Sequence, residues 1–78
     1  MDTTSLLIQI PPAEIAFLSF IIESYEGVAI ARTVDSLQGV MELMVSPDYR
    51  KEIREILKDL SRQFPIKELT PVLPADTL

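Results

Sequence analysis

The stretch of sequence that decides the fold is residues 28–45, VAIARTVDSLQGVMELMV. Its two ends, residues 28–34 and 40–45, are short runs rich in β-branched and other apolar side chains, which is typical of strands. The five residues between them end in Gly39, and a loop of that length commonly joins two antiparallel strands. The sequence therefore predicts a β-hairpin in the middle of the chain.

A helix is predicted on each side of this hairpin. Before it, apolar side chains recur at helical spacing from Ile15 onward, and Gly27 is free to adopt the left-handed conformation that ends helices. After it, Ser46 is predicted to cap a second helix that continues to Pro65. The apolar residues of the second helix fall in one stripe about 100° wide, as in a helix that packs on a sheet: Tyr49, Ile53, Ile56, Leu57, Leu60 and Phe64.

One further strand is predicted at each end, over residues 5–10 and 66–69, and both are bounded by prolines. The element order is then βαββαβ. With right-handed crossovers, this order gives an α+β, ferredoxin-like fold, in which a four-stranded antiparallel sheet carries two helices on one face and strands one and three are central. We expect a single domain over residues 1–70 and a C-terminal tail over residues 71–78.

Composition excludes several kinds of site. The 78 residues include no His, Cys or Trp, so the usual ligands of zinc and iron–sulfur clusters and the usual Cys/His nucleophilic pairs are absent, and no cofactor is expected. The net charge is −5, and residues 1–45 contain six acidic residues but only one base, Arg32. Nucleic acid is therefore not an expected partner. We also expect no membrane span and, without a secretory signal, a cytoplasmic location.

Two apolar surfaces suggest self-association. Helix one carries apolar side chains over a wider arc than one sheet face needs, which leaves Phe17 and Phe20 to pack in the core or to form a contact with another subunit. The sheet face away from the helices is predicted to present Leu7, Ala29, Ala31, Val40 and Met44. We therefore expect a homodimer whose interface draws on Phe17, Phe20, Ala29, Ala31 and Met44. Which of the two surfaces is the contact stays open at this point.

The only base in the first half of the chain has several possible roles. Glu23 and Glu26 lie at the negative end of helix one and favour a nearby cation, so an ion pair with Arg32 is expected. The alternatives are that Arg32 binds a carboxylate or phosphate of a ligand, or that Glu23, Glu26 and Asp35 bind a hard cation. No catalytic residue and no metal site are predicted.

Several segments resemble a small bacterial family known only as a domain of unknown function, family 4911. They are residues 23–27 (ESYEG), residues 32–35 (RTVD), Gly39 and residues 46–48 (SPD). The resemblance covers about residues 5–70 and implies a stand-alone cytosolic protein with no assigned activity. If that family has a ligand site, the matching positions are Tyr25, Glu26, Gly27, Arg32, Thr33 and Asp35.

The sequence leaves three functions to compare. The leading hypothesis is a non-enzymatic module that self-associates and serves as an interaction unit. The alternative is a sensor of a small anionic metabolite, similar to the amino-acid-sensing ACT domains, with Arg32 as the anion-binding residue. The third is an enzyme that uses paired carboxylates, which requires Glu23, Glu26 and Asp35 to converge in one pocket.

Overall fold

A computed structural model describes residues 4–69 of the chain. The predicted βαββαβ order is confirmed, and a short 3₁₀ turn precedes each helix. The elements are β1 (Thr4–Gln9), α1 (Ile15–Ser24), β2 (Ala29–Asp35), β3 (Val40–Val45), α2 (Arg50–Leu60) and β4 (Lys67–Glu68), with the 3₁₀ turns at Pro12–Glu14 and Pro47–Tyr49. The predicted tail, residues 71–78, lies outside the described residues.

The sheet has the predicted topology. Its strand order is β2-β3-β1-β4, and every neighbouring pair is antiparallel, so β1 and β3 are central. Leu43 of β3 lies opposite Leu6 on one side and Ala31 on the other, which fixes the register of the three long strands. This arrangement is the ferredoxin-like fold that the sequence predicts.

The core lies between one face of the sheet and the two helices. Leu18 and Ile22 of α1 are fully buried there, and Ile53 and Leu60 of α2 are nearly so. From the sheet, alternate residues of the central strands point into the same core, as period-two geometry requires: Leu6, Ile8, Met41, Leu43 and Val45. Neither helix between residues 4 and 69 has the length and apolarity needed to cross a membrane.

Two details of α2 differ from the prediction. Ser46 precedes the 3₁₀ turn rather than α2, and its hydroxyl makes no capping hydrogen bond; it donates to the carbonyl of Gly27 at 2.9 Å and so joins the end of β3 to the turn before β2. The helix also ends at Leu60 rather than near Pro65. The Ser61 hydroxyl donates to the carbonyl of Lys58 at 2.6 Å, and a residue that precedes a proline avoids helical geometry, so the chain leaves the helix in successive turns.

Candidate functional site

The sheet face away from the helices is left uncovered by the described elements. We call it the open face. Residues directly opposite each other in antiparallel strands point to the same side, so the register assigns its members from each strand: Ser5, Leu7 and Gln9 of β1, Ile30, Arg32 and Asp35 of β2, and Val40, Glu42 and Met44 of β3. Lys67 of β4 lies opposite Gln9 and adds a charge at the margin.

The open face has larger apolar side chains than the sequence predicted, because β2 presents different residues there. Ile30 is 64% exposed there, and Val34, in the bulge that follows Thr33, is 49% exposed. The predicted interface residues Ala29 and Ala31 lie on the opposite side, packed against the core. That part of the prediction was wrong. Small side chains suit this position because α1 packs over β2 and leaves little space above it.

A polar row crosses the centre of the open face. Nε and Nη2 of Arg32 donate to Oε1 of Glu42 at 3.1 and 2.5 Å, and the Ser5 hydroxyl donates to Oε2 of the same carboxylate at 2.8 Å. The hydrogen bonds from Arg32, and to a lesser extent the one from Ser5, lower the pKa of Glu42 below its ordinary value. The row therefore spans β2, β3 and β1, and its one positive and one negative charge balance locally.

The predicted partners of Arg32 were wrong. Glu23 and Glu26 are exposed at the far end of α1, and the ion pair of Arg32 is with Glu42 on the neighbouring strand. Residues directly opposite each other on neighbouring strands are in contact, and the pairing of β2 with β3 places Arg32 and Glu42 in such a position. Glu42 therefore neutralises Arg32 and occupies its Nε and Nη2 donors, which a ligand anion would have to share.

The residues matched to the family's motifs do not form one site. Tyr25, Glu26 and Gly27 form the turn between α1 and β2, where Tyr25 is exposed rather than packed on the strands and Gly27 has a φ of +79°. Arg32 is on the open face, whereas Thr33 lies opposite the buried Met41 on the helix side.

Asp35, the last member of that set, closes the hairpin between β2 and β3. Its Oδ1 accepts hydrogen bonds from the backbone N–H groups of Leu37 and Gln38 at 3.1 and 3.2 Å. At about 3.3 Å per residue, it lies roughly 20 Å along β2 from the turn that contains Glu26. Glu23, Glu26 and Asp35 therefore do not converge. Among residues 4–69, no three residues of a metal-binding type are close enough to bind a metal ion together.

The phenylalanines of α1 have different surroundings. Phe17 packs edge-to-face on Phe64, with ring centroids 6.4 Å apart, so it covers the margin of the core. Phe20 is 68% exposed and stands apart from that contact. Of the predicted interface residues, Phe20 and Met44 are thus on two different surfaces, and Met44 is the member that belongs to the open face.

Two grooves accompany these surfaces, and the sequence prediction missed both. The first, which we call the end groove, has a volume of about 410 Å³ at one end of the open face and is formed by Gly27, Ala29, Ile30, Met44 and Ser46. The second, of about 400 Å³, lies beside α2 and is formed by Tyr25, Val28, Tyr49, Glu52, Glu55, Ile56 and Asp59. The acidic spacing on α2 was visible in the sequence, but its proximity to Tyr25 depends on the tertiary fold.

The family assignment agrees with the resemblance in the sequence. Residues 8–63 match the model of the family described as Domain of unknown function (DUF4911), and this match covers more than half of the chain. Neither a curated protein nor a solved structure matches it. The chain belongs to the DUF4911 family.

Proposed function

We propose that this DUF4911 family member is a non-enzymatic interaction module whose open face binds a second copy of the same chain. The observation that supports this proposal most directly is the exposure of Ile30 and Val34 beside Val40, Met44 and Leu7, on a face that no described element covers. Burying such side chains contributes about 25 cal/mol per Å² of apolar surface. We include the bacterial cytoplasm in the proposal as its setting.

The charge of the open face favours a second copy over other occupants. The whole chain carries a net charge of −5, so two copies repel each other on approach. The open face does not add to this repulsion, because Arg32 and Lys67 on it are balanced by Glu42 and by Asp35, which lies opposite Val40. A two-fold contact through this face therefore brings together two surfaces on which positive and negative charges balance.

Two alternative functions have less support. A sensor of an anionic metabolite needs a free cation, and the Arg32 guanidinium is already bound by Glu42 on the open face. A carboxylate enzyme needs neighbouring acids, and Asp35 is engaged at the hairpin, far from Glu23 and Glu26.

Light scattering of the purified chain and two matched variants tests the proposal. We expect the wild type to have twice the chain mass of 8.8 kDa. Ile30→Asp should give a monomer, because it places a charge in the contact, whereas Phe20→Asp, an equal change on the other exposed surface, should leave the dimer intact. Far-UV circular dichroism should show that both variants remain folded.

Three results would overturn the proposal. A monomeric wild type would leave the open face without the proposed partner. A loss of stability in Leu73→Asp, measured by urea denaturation, would then indicate that residues 70–78 of the same chain cover this face. Dissociation by Phe20→Asp alone would assign the contact to α1. A dimer that is unaffected by Ile30→Asp would also exclude the open face.

A further inference from the structure

The hairpin between β2 and β3 ends in a fixed tip that carries Leu37, which is 86% exposed. The tip is held by the two hydrogen bonds to Asp35 and by one from the Gln9 side-chain amide to the carbonyl of Gln38, at 2.9 Å. A loop that is already ordered loses little conformational entropy when it binds. An apolar side chain on such a loop is well suited to enter a groove.

The end groove lies at the opposite end of the same two strands. Ile30 and Met44 form its apolar part, and Ser46 holds its margin through a backbone hydrogen bond to Val28 at 3.0 Å and the side-chain bond to Gly27. Its volume of about 410 Å³ is within the range of pockets that enclose small ligands, so it has room for a leucine side chain.

The tip and the outer part of the end groove are about equally far from the Arg32–Glu42 pair. The groove extends from Met44 to Ser46, two to four positions beyond Glu42 or about 7–13 Å, and Leu37 lies two residues beyond the Asp35–Val40 pair, at roughly 12 Å on the other side. Consider a two-fold axis that lies between two facing sheets, beside Arg32 and Glu42, and runs perpendicular to the strands. Such an axis places each tip over the end groove of the other copy.

The open face alone is smaller than a standard interface, so a stable dimer would need further contacts at the two ends of the strands. Six residues along β3 and three long strands across give a footprint of roughly 20 × 15 Å. A standard interface buries about 800 Å² on each partner, which is more than this footprint supplies. Two insertions of Leu37, one at each end, would extend the contact without using a second surface.

We propose that Leu37 of each copy inserts into the end groove of the other and so fixes an antiparallel register between the two sheets. This inference rests on the proposed function, since it requires contact through the open face. The occupant of the end groove is thereby a defined segment of this family's own chain, the β2–β3 tip of the second copy.

Cysteine cross-linking tests the register, because the chain has no cysteine of its own. In a Leu37→Cys, Met44→Cys double variant under a mild thiol oxidant, we expect a covalent dimer on a non-reducing gel. Within one copy these positions are more than about 13 Å apart along the hairpin, too far for an internal disulfide. Leu37→Cys alone and the pair Leu37→Cys, Phe20→Cys are the controls and should remain uncross-linked.

A second measurement does not depend on cross-linking. Leu37→Asp should raise the dimer Kd by at least about tenfold. If Ile30→Asp separates the copies but Leu37→Asp has no effect and the Leu37–Met44 pair does not cross-link, the register is wrong and the proposed function survives. Efficient cross-linking through Leu37→Cys alone would mean that the tips meet each other, which also refutes the register. A monomeric wild type would refute both proposals.

Discussion

Gly39 offers a demanding test of the fold, because its backbone holds the hairpin against the end of β1. Its φ is +74°, and its carbonyl accepts a hydrogen bond from the N–H of Ile10 at 2.9 Å. A Cβ added at Gly39 would lie 1.8 Å from the backbone oxygen of Ile10. Gly39→Ala must therefore push the backbone at residue 39 and the backbone at Ile10 apart, because no side-chain rotation can relieve the contact.

The size of the effect is estimated by comparison with Gly27. Gly27 has nearly the same φ, +79°, but an added Cβ there meets no atom within 4 Å. Gly27→Ala should thus cost only the left-handed conformation, about 1–2 kcal/mol. Gly39→Ala adds the loss of a backbone hydrogen bond, about 1 kcal/mol, and the displacement of the backbone, so its total should be at least about 3–4 kcal/mol. A chain of this length has roughly 4–12 kcal/mol of stability in all.

Urea denaturation followed by circular dichroism measures the two losses, with all samples at one protein concentration because dimerisation would itself contribute. We expect Gly39→Ala to lose at least about 2 kcal/mol more than Gly27→Ala. Asparagine tolerates the left-handed region, so Gly27→Asn should recover stability while Gly39→Asn should not. Equal losses in the two alanine variants would show that the Ile10 oxygen does not restrict this position.

Three further perturbations follow from the described contacts. Leu18→Ala removes a fully buried side chain and should cost about 2–5 kcal/mol in urea denaturation, whereas Phe20→Ala should stay within about 0.5 kcal/mol, and equal effects would contradict the assigned core. Asp35→Ala removes the acceptor for two backbone N–H groups and should cost about 1 kcal/mol, with no loss expected if the tip is ordered by other contacts. The folded-state pKa of Glu42 is lowered below 4.5, so the stability that its carboxylate contributes is present above pH 4.5 and is lost as the pH falls through the lowered pKa. The loss of stability in Glu42→Gln relative to wild type should therefore become smaller in acid. A loss that does not change with pH would refute the Arg32 hydrogen bond as its cause.

The features that the sequence predicted correctly depend on local signals. Helical spacing, β-branched runs and the positions of proline and glycine are sufficient for the element order, and the order with right-handed crossovers is sufficient for the strand order. The face of β2 is different, because both alternations contain apolar residues, Ala29 and Ala31 on one side and Ile30 and Val34 on the other. The choice between them depends on how closely α1 approaches the sheet, which the strand's own residues do not specify.

The site was harder to predict because its contacts depend on the register between strands. Arg32 was assigned to Glu23 and Glu26 because they lie at the negative end of helix one, yet the register of β2 and β3 places it opposite Glu42. Counting back from the Asp35–Val40 pair beside the loop would place Arg32 opposite Leu43. The bulge between Thr33 and Asp35 shifts the alignment by one residue, so the loop alone gives the wrong partner for every residue of β2 before the bulge.

The edges of the sheet are less suited to the proposed self-association than the open face is. The β2 edge is free of proline, but the bulge after Thr33 limits regular pairing to the first half of the strand, where Arg32 adds a charge. At the other edge β4 has only two residues, Lys67 and Glu68, and both are charged. Extension of the sheet by a second copy would use one of these short segments, whereas the open face presents three strands of six or seven residues. The second copy that we propose would therefore pack on the sheet rather than extend it.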